Sequence, residues 1–498
     1  MYDVAVIGAG GIGASAAQHL SAAGFSTILL DRGDIAGATS GRTSRLQYCG
    51  LSYFWHFRSL LHAAAHPGGS WSSLEMAQRA MRERSRFVRE TPDRLRPVTF
   101  YFPLYQDSSV PVWQVRAGLR LLEALDRGGV RLGVELLGPR QAASDPLLAH
   151  LRTPARLAGV LRYTEYQFDW PERVCTDAAM HARDNGARIA TYTPVRSVAR
   201  EGDGWRIETS QQETGGEAIQ AKCVVNTAGV WVDQISAMIG APALNQGAKG
   251  VNVMVRLPPA FRGLGLEMLT RGGEPFYVIP WDELHYFGPR NRAQAATPDG
   301  FVVSEQEIAD LIEEMNFQFP SLRLRRADVL YSWAGIRPRT AQPGHPAGGP
   351  LTRLHDMQRY GAPGYYVFTG GLLMTHRDAG RRITAAVARR VSPSGHAVPV
   401  SYAARHFPAA PHMPAVGAAY PGISRADIRF ACAQEQVRRL EDLMFRRVRL
   451  GWSERMGADV AHDVAQEIRD IMAWSPAQAT AAATAYLAGL SEQYRLAT

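Results

Sequence analysis

The first 34 residues, MYDVAVIGAGGIGASAAQHLSAAGFSTILLDRGD, restrict the chain more than any other segment. Tyr2–Ile7 is a short apolar run that reads as a buried strand. Gly8, Gly10 and Gly13 follow at the spacing G-x-G-x-x-G, then an Ala-rich helical stretch, then a second apolar run ending at Asp31. Each part has a physical task in a βαβ unit that grips a dinucleotide. Gly8 permits a tight turn, Gly10 lets the main chain approach a pyrophosphate, and Gly13 lets helix and strand pack closely. The helix start offers unpaired N–H groups and a positive dipole end to that pyrophosphate. Asp31 closes the second strand, where a carboxylate accepts ribose hydroxyls, and Arg32 stands beside it. The glycine spacing alone is a weak signal. Strand, glycines, helix, strand and acid in this order are a strong one.

The 498 residues exceed one simple core and imply two or three domains. A chain that is 46% hydrophobic and 20% charged has the composition of a soluble globular enzyme. It contains no run of about 18 apolar residues, so no transmembrane helix is expected. The first strand begins at once and leaves no room for a signal peptide, so a cytoplasmic location is expected. Cys49, Cys175, Cys223 and Cys432 are scattered without a CxxC pair, which points to neither a disulfide framework nor a metal site. The net charge of +9 comes almost wholly from arginine, the lysines being Lys222 and Lys249. The arginines concentrate at Arg438–Arg449, which leaves open a peripheral contact with the anionic inner face of a membrane. No nucleic-acid-binding motif accompanies the charge, and nucleic acid is not an expected partner.

Beyond the opening unit, residues 76–155 read as mainly helical and loop-like, with Pro92, Pro97 and Pro103 as breaks. A second α/β stretch follows: a helix over Asp169–Asn185, then strands over Ala187–Tyr192, Val195–Ala199, Trp205–Thr209 and Cys223–Gly229. Ser304–Asn316 reads as a helix, Tyr365–Gly371 as a buried strand and Gly380–Arg390 as a helix. After Val391 a proline-rich linker leads to an all-helical tail. Ser424 is a candidate cap of one tail helix, and Ser475, with Pro476 at the first helical position, of another.

Three separated motifs carry a resemblance: Gly33–Phe54 (GDIAGATSGRTSRLQYCGLSYF), Val224–Asp233 (VVNTAGVWVD) and Phe368–Arg377 (FTGGLLMTHR). Together they resemble the FAD-dependent glycerol-3-phosphate dehydrogenase family of the D-amino-acid-oxidase superfamily, and the tail over Ile428–Gly451 is similar to that family's C-terminal domain. The resemblance implies an α/β fold: a Rossmann-like FAD-binding domain (1–75, 156–235 and 331–391), an inserted mixed-sheet substrate domain (76–155 and 236–330) and a helical C-terminal domain (392–498). It implies FAD as cofactor, with Thr39, Ser40, Arg42, Thr43 and Ser44 along the pyrophosphate and flavin, and Val195 passing the adenine. Ala228, Gly229 and Trp231 supply a second close approach, and Gly335 and Arg337 lie at the flavin. The loop of Gly370, Gly371, Leu372, Leu373, Met374 and Thr375 offers backbone N–H groups to the flavin pyrimidine.

The departures from the family bear on substrate. Where the family has His-Gly-Gly-x-Arg-Tyr, this chain has Tyr48-Cys49-Gly50-Leu51-Ser52-Tyr53. A second family histidine is Asn252, and a lysine beside the flavin is Leu372. Arg337 and Arg353 match retained family arginines, which makes them the expected anchors for an anionic group, with Tyr48, Ser52, Tyr53 and Asn252 lining the pocket. Losing an arginine, a lysine and a histidine dismantles much of a phosphate cradle, so glycerol-3-phosphate itself is not the expected substrate. The expected reaction is oxidation of a small polar substrate at a CH–OH carbon by hydride transfer to flavin N5. Two alternatives stay open: an amine or amino-acid oxidase, and a membrane-associated respiratory glycerol-3-phosphate dehydrogenase. The electron acceptor is oxygen or a quinone, and the oligomeric state is not readable. Asn252 cannot serve as base; Tyr48, His376 and His285 are the substitutes, although His376 is better read as packing the next helix. Cys49 is either a flavin attachment point or a small buried thiol, the second being favoured.

Overall fold

The protein was analysed as a computed structural model that describes residues 1–54, 67–210, 216–293, 301–342, 345–349, 351–410 and 412–496. Tyr2–Ile7 (β1), Gly11–Ala22 (α1) and Thr27–Leu30 (β2) form the expected βαβ unit, with β1 and β2 parallel. A Cβ on Gly13 would lie 1.7 Å from the Gly8 carbonyl oxygen, so only glycine lets α1 sit this close to the β1 turn. Gly8 itself has φ +102°, a conformation that disfavours a side chain.

The first sheet has eight strands among the described residues. Its spatial order is Arg353–Asp356, Tyr365–Thr369, Ala218–Asn226, β1, β2 and Arg188–Ala190, with the hairpin Val195–Glu201/Gly204–Thr209 on one flank. The central strands are parallel. Their residues are buried on both faces, which explains the unbroken apolar runs in the sequence. Helices α1, Pro171–Asp184 and His376–Val387 pack together on one face. The strands and helices foreseen over 169–229 and 365–390 are present with shifted ends.

The second sheet has ten strands, mostly antiparallel, and corrects three expectations. Residues 76–155 are not only helix and loop. Leu95–Tyr105 is a long strand, although it contains Pro97 and Pro103. It pairs with Leu157–Phe168 along its whole length. Only Thr99–Tyr101 is also paired on the other side, with Leu264–Leu266. The prolines flank that doubly paired stretch, where a missing N–H breaks least of the ladder. Leu157–Phe168 and Val329–Gln342, expected in the FAD-binding domain, instead belong to this second sheet. An apolar strand carries no mark of which sheet will pair with it. Helix Glu305–Gln318, capped by Ser304 and Glu307, covers one face of the sheet.

The tail is helical, and both caps are formed. Ser424 accepts the Asp427 N–H and Ser475 accepts the Gln478 N–H, with Pro476 at the first turn of Pro476–Tyr494. The proline-rich segment before the tail is laid along the first domain. Ser394 bonds to Asp3, the Val398 N–H to the Ala22 carbonyl, and Gln18 to the Ser401 carbonyl at 2.6 Å. The arginine concentration turns inward in part. Arg446 and Arg447 are buried against Asp34, and Arg449 pairs with Asp169 and Asp282. None of the described helices is long and apolar enough to cross a membrane.

Candidate active site

A cavity of about 920 Å³ runs from the β1 turn to the face of the second sheet. At its first end lie Gly8, Gly10, Asp31 and Arg32, with Val195 and Arg196 from the hairpin. Asp31 is held by its own loops: Oδ2 accepts the Ala9 N–H at 2.6 Å and Oδ1 the Gly33 N–H at 2.8 Å. Burial pushes its carboxyl up, and the two N–H donors oppose that. Each oxygen keeps a lone pair for a ligand hydroxyl. Arg32 stacks 4.0 Å above the Trp231 ring, whose other neighbour is Phe301. Arg439, Glu441 and Arg446 reach this end from the C-terminal domain. Nothing in the sequence marked them, because their placement depends on the Asp34 contact.

The middle is lined by Thr39, Ser40, Arg42, Thr43 and Ser44 opposite Ala228 and Gly229. Ser40 Oγ accepts the Gly11 N–H at 2.9 Å, and a Cβ on Gly10 would come within 3.1 Å of that Oγ. Thr39 is fixed by donating to the Ile336 carbonyl. Arg42 is buried, bonded through Nη2 to Gln493 at 2.7 Å, while its buried Nη1 has no partner among the described residues. An orphaned guanidinium nitrogen on a glycine-lined channel fits an anionic pyrophosphate. Gly335 also admits a close approach, since a Cβ there would lie 2.7 Å from the Arg42 carbonyl oxygen. The residues present therefore fit FAD. Gly13 lies beneath this channel and Thr375 behind it; neither lines the cavity.

The far end collects Gly370, Gly371, Leu372, Leu373 and Met374 from the loop after Tyr365–Thr369. Tyr48, Ser52, Tyr53, Asn252 and Arg337 face them. Arg353 does not. It is exposed on the edge strand Arg353–Asp356 and lies outside the cavity, so the expectation that it anchors substrate is corrected. Arg339 lines the cavity instead. It lies two residues after Arg337 on Val329–Gln342, and the period of a strand puts both on one face. That spacing was a readable signal. Neither arginine has a carboxylate partner among the described residues. Burial and the charge of Arg337 lower the Arg339 pKa. Burial raises the Tyr53 phenol, while Arg337 and Arg339 act against it.

The two histidine substitutes fall away. His376 is buried, bonded to the Leu373 carbonyl at 2.6 Å and pushed down to about 3 by burial. His285 is bonded to the Phe261 carbonyl and pushed down to about 4 by burial. Neither lines the cavity. Cys49 lies outside it too, fully buried, with its thiol driven well up by burial and by Glu165, which is the inert packing role. Asn252 is buried, lines the cavity and has an unpartnered Oδ1.

A family model described as FAD dependent oxidoreductase matches residues 3–387. The chain belongs to that family and is a flavin-dependent enzyme. Among curated proteins it is 27% identical over 401 residues to a glycerol-3-phosphate dehydrogenase of Synechocystis sp. (strain ATCC 27184 / PCC 6803 / Kazusa), covering 77% of this chain and 69% of that one. It is 29% identical over 393 residues to a D-erythritol 1-phosphate dehydrogenase of Brucella abortus (strain 2308), covering 76% and 72%. A solved glycerol-3-phosphate dehydrogenase from Bacillus halodurans complexed with FAD superposes with TM-score 0.71 over 99% of this chain and 95% of that one, at 19% identity, which supports the fold.

Proposed function

We propose that this flavoenzyme oxidises a CH–OH carbon of a small polar substrate whose anionic group faces Arg337 and Arg339, and that glycerol-3-phosphate is not that substrate. The observation that carries the reading is the pair of guanidiniums without carboxylate partners at the Gly370–Met374 end of the cavity. Bound FAD supplies a two-electron acceptor that takes hydride at N5. The chain supplies the rest. Arg337 and Arg339 bind and orient an anion, which suits a planar carboxylate. Tyr53 lines the cavity within reach of the charge of both, and Ser52 and Asn252 offer uncharged polar contacts where a phosphate site would want charge.

The curated relatives are named for phosphorylated polyols, which supports an alcohol over an amine. The charges missing at Ser52 and Leu372 argue against phosphate. Each lost charge-assisted hydrogen bond costs about 1.5–3 kcal/mol, so two weaken binding by about two to four orders of magnitude. Electrons then leave to oxygen or a quinone. The inward-facing Arg446, Arg447 and Arg449 leave less of the tail's charge for a membrane surface than the sequence suggested.

The test is anaerobic mixing of the flavin-loaded protein with sn-glycerol 3-phosphate, glycerate, tartrate and glycine, following the flavin absorbance. Bleaching by a hydroxy acid and not by glycerol-3-phosphate is expected. Rapid bleaching by glycerol-3-phosphate refutes the divergence argument, and bleaching by glycine alone selects amine oxidation.

A further inference from the structure

Beneath the substrate end of the cavity lies a buried carboxylate with an unusual set of donors. Glu267, on strand Leu264–Leu269, is fully buried. Its Oε1 accepts the Tyr48 hydroxyl at 2.9 Å and the Tyr277 hydroxyl at 3.0 Å, and its Oε2 accepts the Tyr163 hydroxyl. Tyr277 is the cross-strand partner of Glu267, so the antiparallel register fixes that pair. The Ser52 N–H donates to the Tyr48 hydroxyl at 2.7 Å and pins it. Tyr48 and Tyr277 line the cavity, whereas Tyr163 and Glu267 do not. Among the described residues no histidine lines the cavity, and two phenols connect it to a carboxylate that solvent does not reach.

We propose that Glu267, reached through the hydroxyls of Tyr48 and Tyr277, is the proton acceptor for the substrate hydroxyl. This rests on the alcohol-oxidation reading above. The substrate O–H proton passes to the oxygen of one phenol as that phenol's own proton passes to Glu267 Oε1. The C–H hydrogen leaves with its electron pair to the FAD two-electron acceptor, and the carbon–oxygen bond becomes a carbonyl. Tyr48 and Tyr277 are the groups that touch substrate; Glu267 acts through them. A phenol alone is a poor base near neutral pH. Coupled to a carboxylate, it transfers a proton without ever carrying a full negative charge.

The surroundings suit that role. Glu267 is pushed up to about 7 by burial, with neighbouring Glu165 adding to the rise and the three phenols opposing it. Glu165 in turn accepts the Cys49 N–H at 3.0 Å and lies 3.7 Å from Arg84, whose other donors hold the Val130 and Thr164 carbonyls. The Cys49 thiol stays neutral. Among the described residues, Glu267 thus has no cation in direct contact to hold it permanently ionised. A carboxyl that titrates near the working pH is what a general base requires.

The test uses the flavin-loaded protein and reads the carboxyl directly. A pH-difference infrared titration follows the protonated-carboxyl band in wild type, Glu267→Gln, Tyr48→Phe and Tyr277→Phe. The band is expected to titrate near neutrality, to vanish in Glu267→Gln, and to move up by about one pH unit when either phenol is removed, since each removal takes a donor from the ionised form. Anaerobic bleaching by the hydroxy acid that reduces wild type fastest is then expected to rise with pH through the same midpoint. Glu267→Gln is expected to flatten that profile and slow bleaching at least 100-fold while retaining flavin and its reduction by dithionite. A carboxyl that does not titrate between pH 5 and 9, or whose midpoint ignores both phenols, overturns the proposal whatever the substrate. So does a variant that bleaches at the wild-type rate. If the band titrates as expected but no alcohol bleaches the flavin, the alcohol reading fails, and with it the assignment of this carboxyl as its base.

Discussion

Asp34 joins the dinucleotide-binding domain to the C-terminal domain, and removing its charge tests how far the two depend on each other. The carboxylate is fully buried. Arg447 holds it with two bonds of 2.6 and 2.9 Å, and Arg446 Nε adds a third at 2.6 Å. Arg446 continues to Asp442 at 2.6 Å, which also accepts the Tyr192 hydroxyl. Burial opposes the ionised form of Asp34, but the two guanidiniums outweigh it and hold the carboxyl below its usual range. Asp34→Asn leaves two buried guanidiniums facing an amide. Breaking a buried pair from one side costs about 3–5 kcal/mol. At about 2.1 cal/mol/K per residue, the whole chain has an unfolding entropy of about 1 kcal/mol/K, so a single cooperative transition falls by about 3–5 °C. If the roughly 100 C-terminal residues melt by themselves, the same loss moves their transition by about 14–24 °C. Calorimetry with and without FAD separates the cases, because Arg446 also lines the adenosine end of the cavity. The sign with pH follows. A carboxyl whose folded pKa is depressed contributes stability above its unfolded pKa and loses it as pH falls through the folded value. Wild type therefore loses this contribution below about pH 4, and the variant has none to lose there. A variant within about 0.5 kcal/mol of wild type at neutral pH refutes the clamp.

The glycines give a paired test: Gly13→Ala is expected to abolish flavin binding, because its Cβ would meet the Gly8 carbonyl at 1.7 Å, whereas Gly229→Ala, with open space but φ +60°, is expected to cost about 1–2 kcal/mol and keep its flavin in a gel-filtration assay. Arg42→Met is expected to weaken FAD retention by about 10- to 100-fold in a fluorescence titration, through loss of the orphaned Nη1; an unchanged Kd would place the pyrophosphate elsewhere. Burial holds His19, His285 and His355 near 4 and His376 near 3. These histidines are neutral when folded and charge on unfolding, so stability is expected to fall as pH drops below about 6.5, with about four extra protons taken up near pH 5. Urea midpoints between pH 5 and 7.5 check this, and a flat profile counts against it.

The opening βαβ unit was legible because its constraints are local. A strand, a turn only glycine can make, and a helical run of small residues act over about thirty positions, and no distant partner can change them. The caps at Ser424 and Ser475 were legible for the same reason. Sheet membership was not. Leu157–Phe168 and Val329–Gln342 carry the same apolar pattern as the strands of the first sheet, and their partners lie up to about 120 positions away along the chain. Proline misled as well. Pro97 and Pro103 read as breaks, yet a strand tolerates proline where its second neighbour stops short. In the site, Arg339 was within reach, since alternation along one strand places it beside Arg337. Glu267 and Tyr277 were not, because their meeting with Tyr48 depends on register in one strand pair and on the turn that brings residue 48 over the sheet.

That difference bears on how the substrate end works. Set against the family motifs that the sequence resembles, Tyr48 and Asn252 stand where histidines are expected and Ser52 where an arginine is expected. Taken alone, those departures leave the cavity without a histidine base, which raises the amine-oxidation alternative. The three-dimensional contacts reverse that inference. Tyr48 fills the place of the first histidine and is bonded to a carboxylate that two further phenols surround. A histidine combines cavity contact and a pKa near neutrality in one ring. Here the two properties are divided, contact going to the phenols and the titrating group to a buried glutamate. The division has a cost that can be measured: Tyr48→His should restore a base in the cavity while leaving Glu267 with two donors in place of three. If the alcohol-oxidation reading is right, that variant keeps its rate at neutral pH, and Tyr48→Phe loses it. Equal loss in both would mean that Tyr48 serves packing rather than proton transfer.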